Sequence, residues 1–133
     1  MAGSFSDYLE NKILDHVFVG TAYTAPTTIW FALFTVAPTD AGGGTEVSGG
    51  SYARVSKTPS GIFGSATGGS ITTTGSVAFT TATGNWGTIV AFAIFDASTG
   101  GNMLAWGDLT LSKTVGTGDT ASFSTGSLTI NLT

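Results

Sequence analysis

The chain carries a single histidine, His16, and no cysteine. A serine-hydrolase triad would have to use that imidazole, the natural side-chain base near neutral pH. It stands beside Asp15 inside a helical pattern, and no Gly-x-Ser-x-Gly turn occurs anywhere. A histidine on a helix surface or at an interface is therefore expected. The lack of cysteine removes disulfide frameworks, thiol nucleophiles and Cys-ligated metal sites together. Asp40, Glu46, Asp96, Asp108 and Asp119 fall in or next to loops. A facing pair of such acids would suit glycoside hydrolysis or hold calcium, but nothing in their spacing sets two of them opposite each other. Acids in loops more often accept hydrogen bonds from turn amides. No catalytic residue, no cofactor and no metal site is expected.

Three tryptophans, Trp30, Trp86 and Trp106, have the chemistry of a sugar-stacking platform, but in a β core they are more often packing groups or interface anchors. The glycine pairs and triplets at 42–44, 49–50, 68–69 and 100–101 are followed by no Gly-Lys-Ser/Thr, so they read as turns rather than a phosphate cradle. Arg54 and Lys57 are the only cations between residues 13 and 112, placed to form an ion pair between subunits or to stand solvated.

Few elements are needed to position these residues. Phe5, Leu9, Ile13 and Val17 recur every fourth position, with Tyr8, Leu14 and Phe18 widening the stripe. This spacing predicts one helix over residues 4–19, capped by Ser4 with Asp7 three residues on and stopped by Gly20. After Thr21 the chain reads as β. Ile29–Val36 is apolar on both faces, as a central strand would be. Ser51–Lys57, Ser76–Thr80 and Ser127–Leu132 read as further strands, the last with Leu128, Ile130 and Leu132 inward. Gly87–Asp96 and Asn102–Leu109 frame a hairpin across Ser98–Gly101, and Leu111–Val115 and Thr120–Ser124 frame a second across Gly116–Asp119. Thr58–Ser70 is rich in Gly and Ser, with Ile62 and Phe63 as anchors. The expected fold is all-β: a jelly-roll-like β-sandwich with one N-terminal α-helix. It forms a single domain over 1–133, with a helical arm at 1–20 and the sandwich at 21–133.

Composition bounds the function. The chain has 133 residues, four Lys plus Arg against eight Asp plus Glu, and a net charge of −4. Four scattered cations cannot neutralise a run of phosphates or an anionic membrane surface, so neither nucleic acid nor membrane is an expected partner. The start has no basic region followed by an apolar run, so synthesis and assembly in a cytoplasm are expected. Charged residues make up 9% of the chain, against about 25% in an ordinary soluble domain. Hydrophobic residues are 41% and aromatics 11%, so the core is ordinary and the surface is not. A surface this poor in charge suits a subunit that neighbours cover.

Several blocks carry a resemblance: Ser4–His16, then Pro38–Val47 leading into Gly50–Val55, then Ala82–Gly87 and Phe95–Gly107. Together they resemble small tailed-bacteriophage virion proteins, commonly labelled tail fibre protein or structural protein. The resemblance covers most of the chain, is most specific over Asp40–Val55 and Trp86–Gly107, and is weakest over Thr58–Thr74. It implies a virion component rather than an enzyme, assembled in the host cytoplasm. A capsid decoration (cement) protein is the expected role, acting as a homo-oligomer, a homotrimer in the simplest case, bound to the major capsid protein or another virion protein. The alternative is a tail fibre or appendage that binds a host receptor or glycan through Ile62–Thr67 or the tryptophans. Expected contact residues are Phe5, Tyr8 and Leu9 on the helix face, Asp40 and Glu46 in the following loop, and Tyr52 and Arg54 on the next strand.

Overall fold

A computed structural model describes residues 1–132. Strand β1 (Ala2–Phe5) leads into α1 (Asp7–Leu14), which widens into a π-helical turn at Asp15–Val19. Then follow β2 (Ile29–Val36), β3 (Thr45–Glu46), β4 (Val55–Lys57), a single helical turn α2 (Pro59–Ile62), β5 (Ser70–Thr72), β6 (Val77–Ala78), β7 (Gly87–Phe95), β8 (Met103–Val115), β9 (Ser122–Phe123) and β10 (Thr129–Asn131). Eight strands form one sheet in the order β3-β2-β7-β8-β1-β10-β5, with β4 also on β2, and β6 and β9 form a separate ribbon. The molecule is mostly β and sandwich-like, as expected. Its pairing is one large sheet plus a ribbon, which does not reproduce the two sheets of a jelly roll.

The centre of the sheet is β2, β7 and β8, joined antiparallel with Phe31 opposite Ile94 and Ile94 opposite Ala105. Alternation along these strands sends Phe31, Leu33, Ile89, Phe92 and Ile94 to one face. Ala32, Phe34, Ala91, Ala93 and Met103 go to the other, beside Trp106. Both faces are buried, which explains why Ile29–Val36 shows no polar alternation. The larger core is closed by Phe79, Trp86, Phe123 and Leu128. Ile62 is buried and Phe63 stacks on Phe31 at 6.3 Å, so the two expected anchors do hold the Gly/Ser-rich segment down.

The N-terminus departs from expectation. Ser4 and Phe5 do not begin the helix but pair with Trp106 and Ala105 of β8. On its other side β1 runs parallel to β10, with Gly3 opposite Ile130. The cap is Ser6, whose oxygen accepts from Leu9 N at 3.2 Å while its hydroxyl donates to the Met103 carbonyl. Residues 1–5 are therefore part of the sheet rather than of a separate arm. A helical period recognises local spacing, and Phe5 satisfies it; the pairing that overrides it lies about a hundred residues away. Gly20 does end the helix, in the left-handed conformation at φ 80°.

Two C-terminal expectations also change. The turn at Gly116–Asp119 forms, with Asp119 Oδ2 accepting from Gly116 N at 2.8 Å. The segment after it pairs with β6, not with β8. There Phe123 packs edge-on against Phe79 and Phe92, at 6.4 and 6.0 Å, and caps the core. Leu132, expected inward, is 54% exposed.

β1 lies unusually close to β8 at Gly3 and Gly107, and both positions need glycine for space. A Cβ on Gly3 would lie 2.5 Å from the Trp106 carbonyl oxygen, and one on Gly107 2.5 Å from that of Ala2 and 2.9 Å from the Phe92 ring. Gly107→Ala is expected to destabilise the fold by about 1–3 kcal/mol, the usual cost of overpacking. Urea unfolding followed by circular dichroism reads this directly, and an unchanged midpoint would contradict the close approach.

Candidate assembly surface

The seven expected contact residues separate into three groups. Phe5, Tyr8 and Leu9 are half-buried and pack against the chain's own core. They form the inner side of the β1–α1 segment, which leans on β8.

Glu46, Tyr52 and Arg54 form an internal network. Arg54 donates from Nε and NH2 to the two Glu46 oxygens at 2.9 and 2.8 Å. Its NH1 donates to the carbonyls of Ala97 and Gly100, both at 2.9 Å. The guanidinium lies 3.7 Å from the centroid of the Phe95 ring. Tyr52 donates its hydroxyl to Glu46 Oε2 at 2.7 Å and accepts from Leu33 N at 3.0 Å. Only 7% of the Arg54 side chain and 25% of that of Glu46 are exposed. Arg54, expected to pair across subunits or to stand in solvent, is instead paired within its own chain.

Asp40 takes a third role. Its carboxylate accepts from Trp106 Nε1 at 2.9 Å, and its carbonyl accepts from Asp7 N at 2.9 Å. It thereby fastens the 38–44 loop to α1 and to the smaller core. Asp7, Glu10 and Asp40 bring carboxylate oxygens within 4.8 Å of one another, all exposed. The tryptophans do not gather into one platform. Trp86 is buried in the larger core and donates to the Gly50 carbonyl at 2.9 Å. Trp106 packs against the smaller core, and Trp30 lines a cleft of ≈ 450 Å³ beside Arg54. His16 is exposed, and its Nδ1 accepts from Tyr23 N at 3.0 Å.

The apolar surface that the molecule leaves open lies one turn beyond the expected one. No residue of α1 or of the π-helical turn is buried. Leu14, Val17, Phe18 and Val19 are 54%, 60%, 80% and 71% exposed. Among the helices and strands the π-helical turn packs chiefly on α1, and its Asp15 carbonyl accepts from Thr21 N at 3.1 Å. Leu14, Val17 and Phe18 were visible as part of the apolar stripe. Which part of that stripe meets the chain's own core depends on where β1 anchors the helix, and the stripe itself does not show that.

Exposed apolar clusters of this kind recur at interaction sites. The family model for Podophage GP4 fiber I protein gp80 matches residues 4–131. The chain belongs to this family of tailed-phage virion structural proteins, and its place is in the virion. No curated protein matches it.

The Arg54 network makes two predictions. Arg54→Ala strands the Glu46 carboxylate against its half-buried neighbours and is expected to cost about 3 kcal/mol, as loss of one partner of a buried pair does; denaturant unfolding measures it. Burial, together with the Glu46 carboxylate beside it, drives the Tyr52 phenol well above the ordinary tyrosine value of 10.0. A raised pKa in the folded state means stability is fully present below about pH 10 and is lost as pH rises further, because only the unfolded chain releases that proton easily. Tyr52→Phe is expected to flatten this alkaline loss in melting curves taken from pH 8 to 12. An equal fall in both proteins would assign it elsewhere.

Proposed function

We propose that the protein is a non-catalytic building subunit of a virion fibre, joined to its neighbours through the exposed helix tip. The observation that carries this is the uncovered cluster Leu14, Val17, Phe18 and Val19. Complete burial of a Val, Leu or Phe side chain is worth about 1.5–3 kcal/mol, so these four, already partly covered, offer on the order of 5 kcal/mol. Association itself costs about 4–15 kcal/mol. One such contact is weak, and repetition across many copies makes it durable. The family's description as a fiber protein supports a place in a fibre over one on the head. The side chains with chemical potential support a mechanism of burial: the one histidine holds a loop amide, and Glu46 is engaged by Arg54 and Tyr52.

Capsid decoration is the second reading, favoured by the 9% charge content. Subunits sealing capsomer junctions would have few ions to desolvate at each contact. Both readings use the same burial and differ in location and copy number.

Gold-labelled electron microscopy of particles separates them. Label along fibres is expected, whereas hundreds of copies over the head would move the protein to decoration. Removing residues 1–20 is unsuitable as a test because β1 belongs to the sheet, so the tip is changed instead. Phe18→Asp with Val19→Asp is expected to leave the β circular dichroism intact and to cut particle occupancy at least tenfold. Wild-type occupancy would remove the tip from the attachment, and turnover of a host glycan by the purified protein would overturn the non-catalytic role.

A further inference from the structure

We infer that the cleft beside Trp30 binds a neutral saccharide, one pyranose ring of which stacks on the indole. This goes beyond the assembly role and is the same whether the protein stands in a fibre or on the head. The cleft encloses ≈ 450 Å³, within the range on the order of 300–1,000 Å³ of clefts that seat small ligands. Its walls come from β2, from the segment between β3 and β4, and from the β7–β8 turn. Trp30 differs here from the other two tryptophans. Trp86 donates its indole N–H to the Gly50 carbonyl, and Trp106 donates to Asp40. The Trp30 N–H has no partner among the described residues, and the side chain is only half-buried where it lines the cleft. A ring so placed offers an apolar face with a hydrogen-bond donor at its edge.

The polar groups around the ring select the ligand. Ser48, Ser98 and Thr99 line the cleft as exposed residues, and their hydroxyls bond to no protein group among the described residues. The only charged liners are Glu46 and Arg54, paired with each other at 2.8 Å. An ionic ligand therefore finds no free counter-charge. Glu46 Oε1 takes one hydrogen bond, from Arg54, and a carboxylate oxygen has capacity for a second. A pyranose with mostly equatorial hydroxyls has C–H groups on its faces and hydroxyls around its rim. The face suits the indole, and the rim suits the Ser and Thr hydroxyls and Glu46. A wholly apolar ligand would strip water from those groups and return no hydrogen bond.

The cleft is also held open in advance. Arg54 ties one wall to another, bonding Glu46 of β3 and the Ala97 and Gly100 carbonyls of the β7–β8 turn. Tyr52, a further liner, is fixed between Glu46 and the Leu33 amide. Walls fixed before the ligand arrives lose less freedom on binding. Between the liners Ser48 and Tyr52, the residues Gly49, Gly50 and Ser51 all take left-handed backbone, at φ 77°, 55° and 63°. Ser51 is the only non-glycine residue with positive φ among the described residues. Residues held in such sparsely populated conformations gather at ligand clamps.

The test titrates the full chain with four neutral probes, the methyl pyranosides of glucose, galactose, mannose and N-acetylglucosamine, and with glucuronic acid as a charged one. Nuclear magnetic resonance reads the three indole N–H signals, and Trp30→Phe identifies the one from Trp30 by its loss. At least one neutral probe is expected to move the Trp30 signal to saturation while those of Trp86 and Trp106 stay in place, and glucuronic acid is expected to bind no better. Trp30→Ala removes the stacking face and is expected to weaken binding at least tenfold, as loss of an aromatic anchor does. Ala53→Phe, at an exposed liner, narrows the cleft and is expected to do the same; it stands in for Trp30→Ala if circular dichroism shows that variant to be misfolded. If no neutral probe moves the Trp30 signal, the saccharide site is overturned. Binding by glucuronic acid alone overturns the neutral class, and binding that survives both Trp30→Ala and Ala53→Phe overturns the place. The assembly role is read separately, by particle occupancy of the helix-tip variant, whose substitutions lie outside the cleft.

Discussion

The pairing of Arg54 with Glu46 is the constraint from which most of the loop structure follows. A guanidinium with 7% of its side chain exposed has lost nearly all of its water and must recover that interaction from the protein. It does so with two bonds to one carboxylate, two to backbone carbonyls and an aromatic face. Those partners come from three separate places: β3, the β7–β8 turn and the end of β7. Tyr52 extends the network to the backbone of β2. A single cation therefore fixes the long glycine-rich loop, the hairpin turn and the edge of the sheet relative to one another. In a chain with so few charges, such a pair has little competition from alternative ion pairs, which favours one arrangement of the loops.

The central strands impose the second constraint. β2 and β7 are apolar on both faces, and a chain of this length must cover both. On the smaller face Ala32, Ala91 and Ala93 sit in one cluster with Phe34, Phe95 and Trp106 of the same sheet, and Phe34 and Phe95 stack at 6.2 Å. On the larger face it recruits Phe123 and Leu128 from the C-terminal segment and Phe5, Tyr8 and Leu9 from the N-terminal one. Once these demands are met, the second half of the helix has no face of the sheet left to cover. Its exposed tip follows from where β1 anchors the helix.

Much of the fold was legible because its signals are local. The double-faced β2, the β7–β8 hairpin, the Gly20 stop and the anchors Ile62 and Phe63 all depend on residue type within a few positions. What was not legible depends on pairing across long separations. Phe5 fits a helical stripe and a strand equally well, and its pairing with Ala105 of β8, a hundred residues on, makes it a strand. Thr120–Ser124 fits a hairpin with β8, and only the need to cap Phe92 with Phe123 sends it to β6. The contact residues show the same division. Polar and aromatic side chains at 40, 46, 52 and 54 are noticeable in a charge-poor sequence. Noticeable chemistry marks a structural clamp as readily as an interface, and the burial of Arg54 is what distinguishes the two.

The low charge of the chain takes on a more definite meaning once its few ions are located. One arginine is consumed inside the molecule, and Asp40 is held by Trp106. The outer surface is left to serines, threonines and glycines, whose hydroxyls pair with one another, as Thr88 does with Thr114 and Thr81 with Thr120. Such a surface loses little on desolvation, since neutral groups leave water far more cheaply than ions do. It is also a weak guide to orientation, because hydroxyls accept many partners. Specificity in an assembly of these subunits must therefore come from shape and from isolated charges at the rim of apolar contacts.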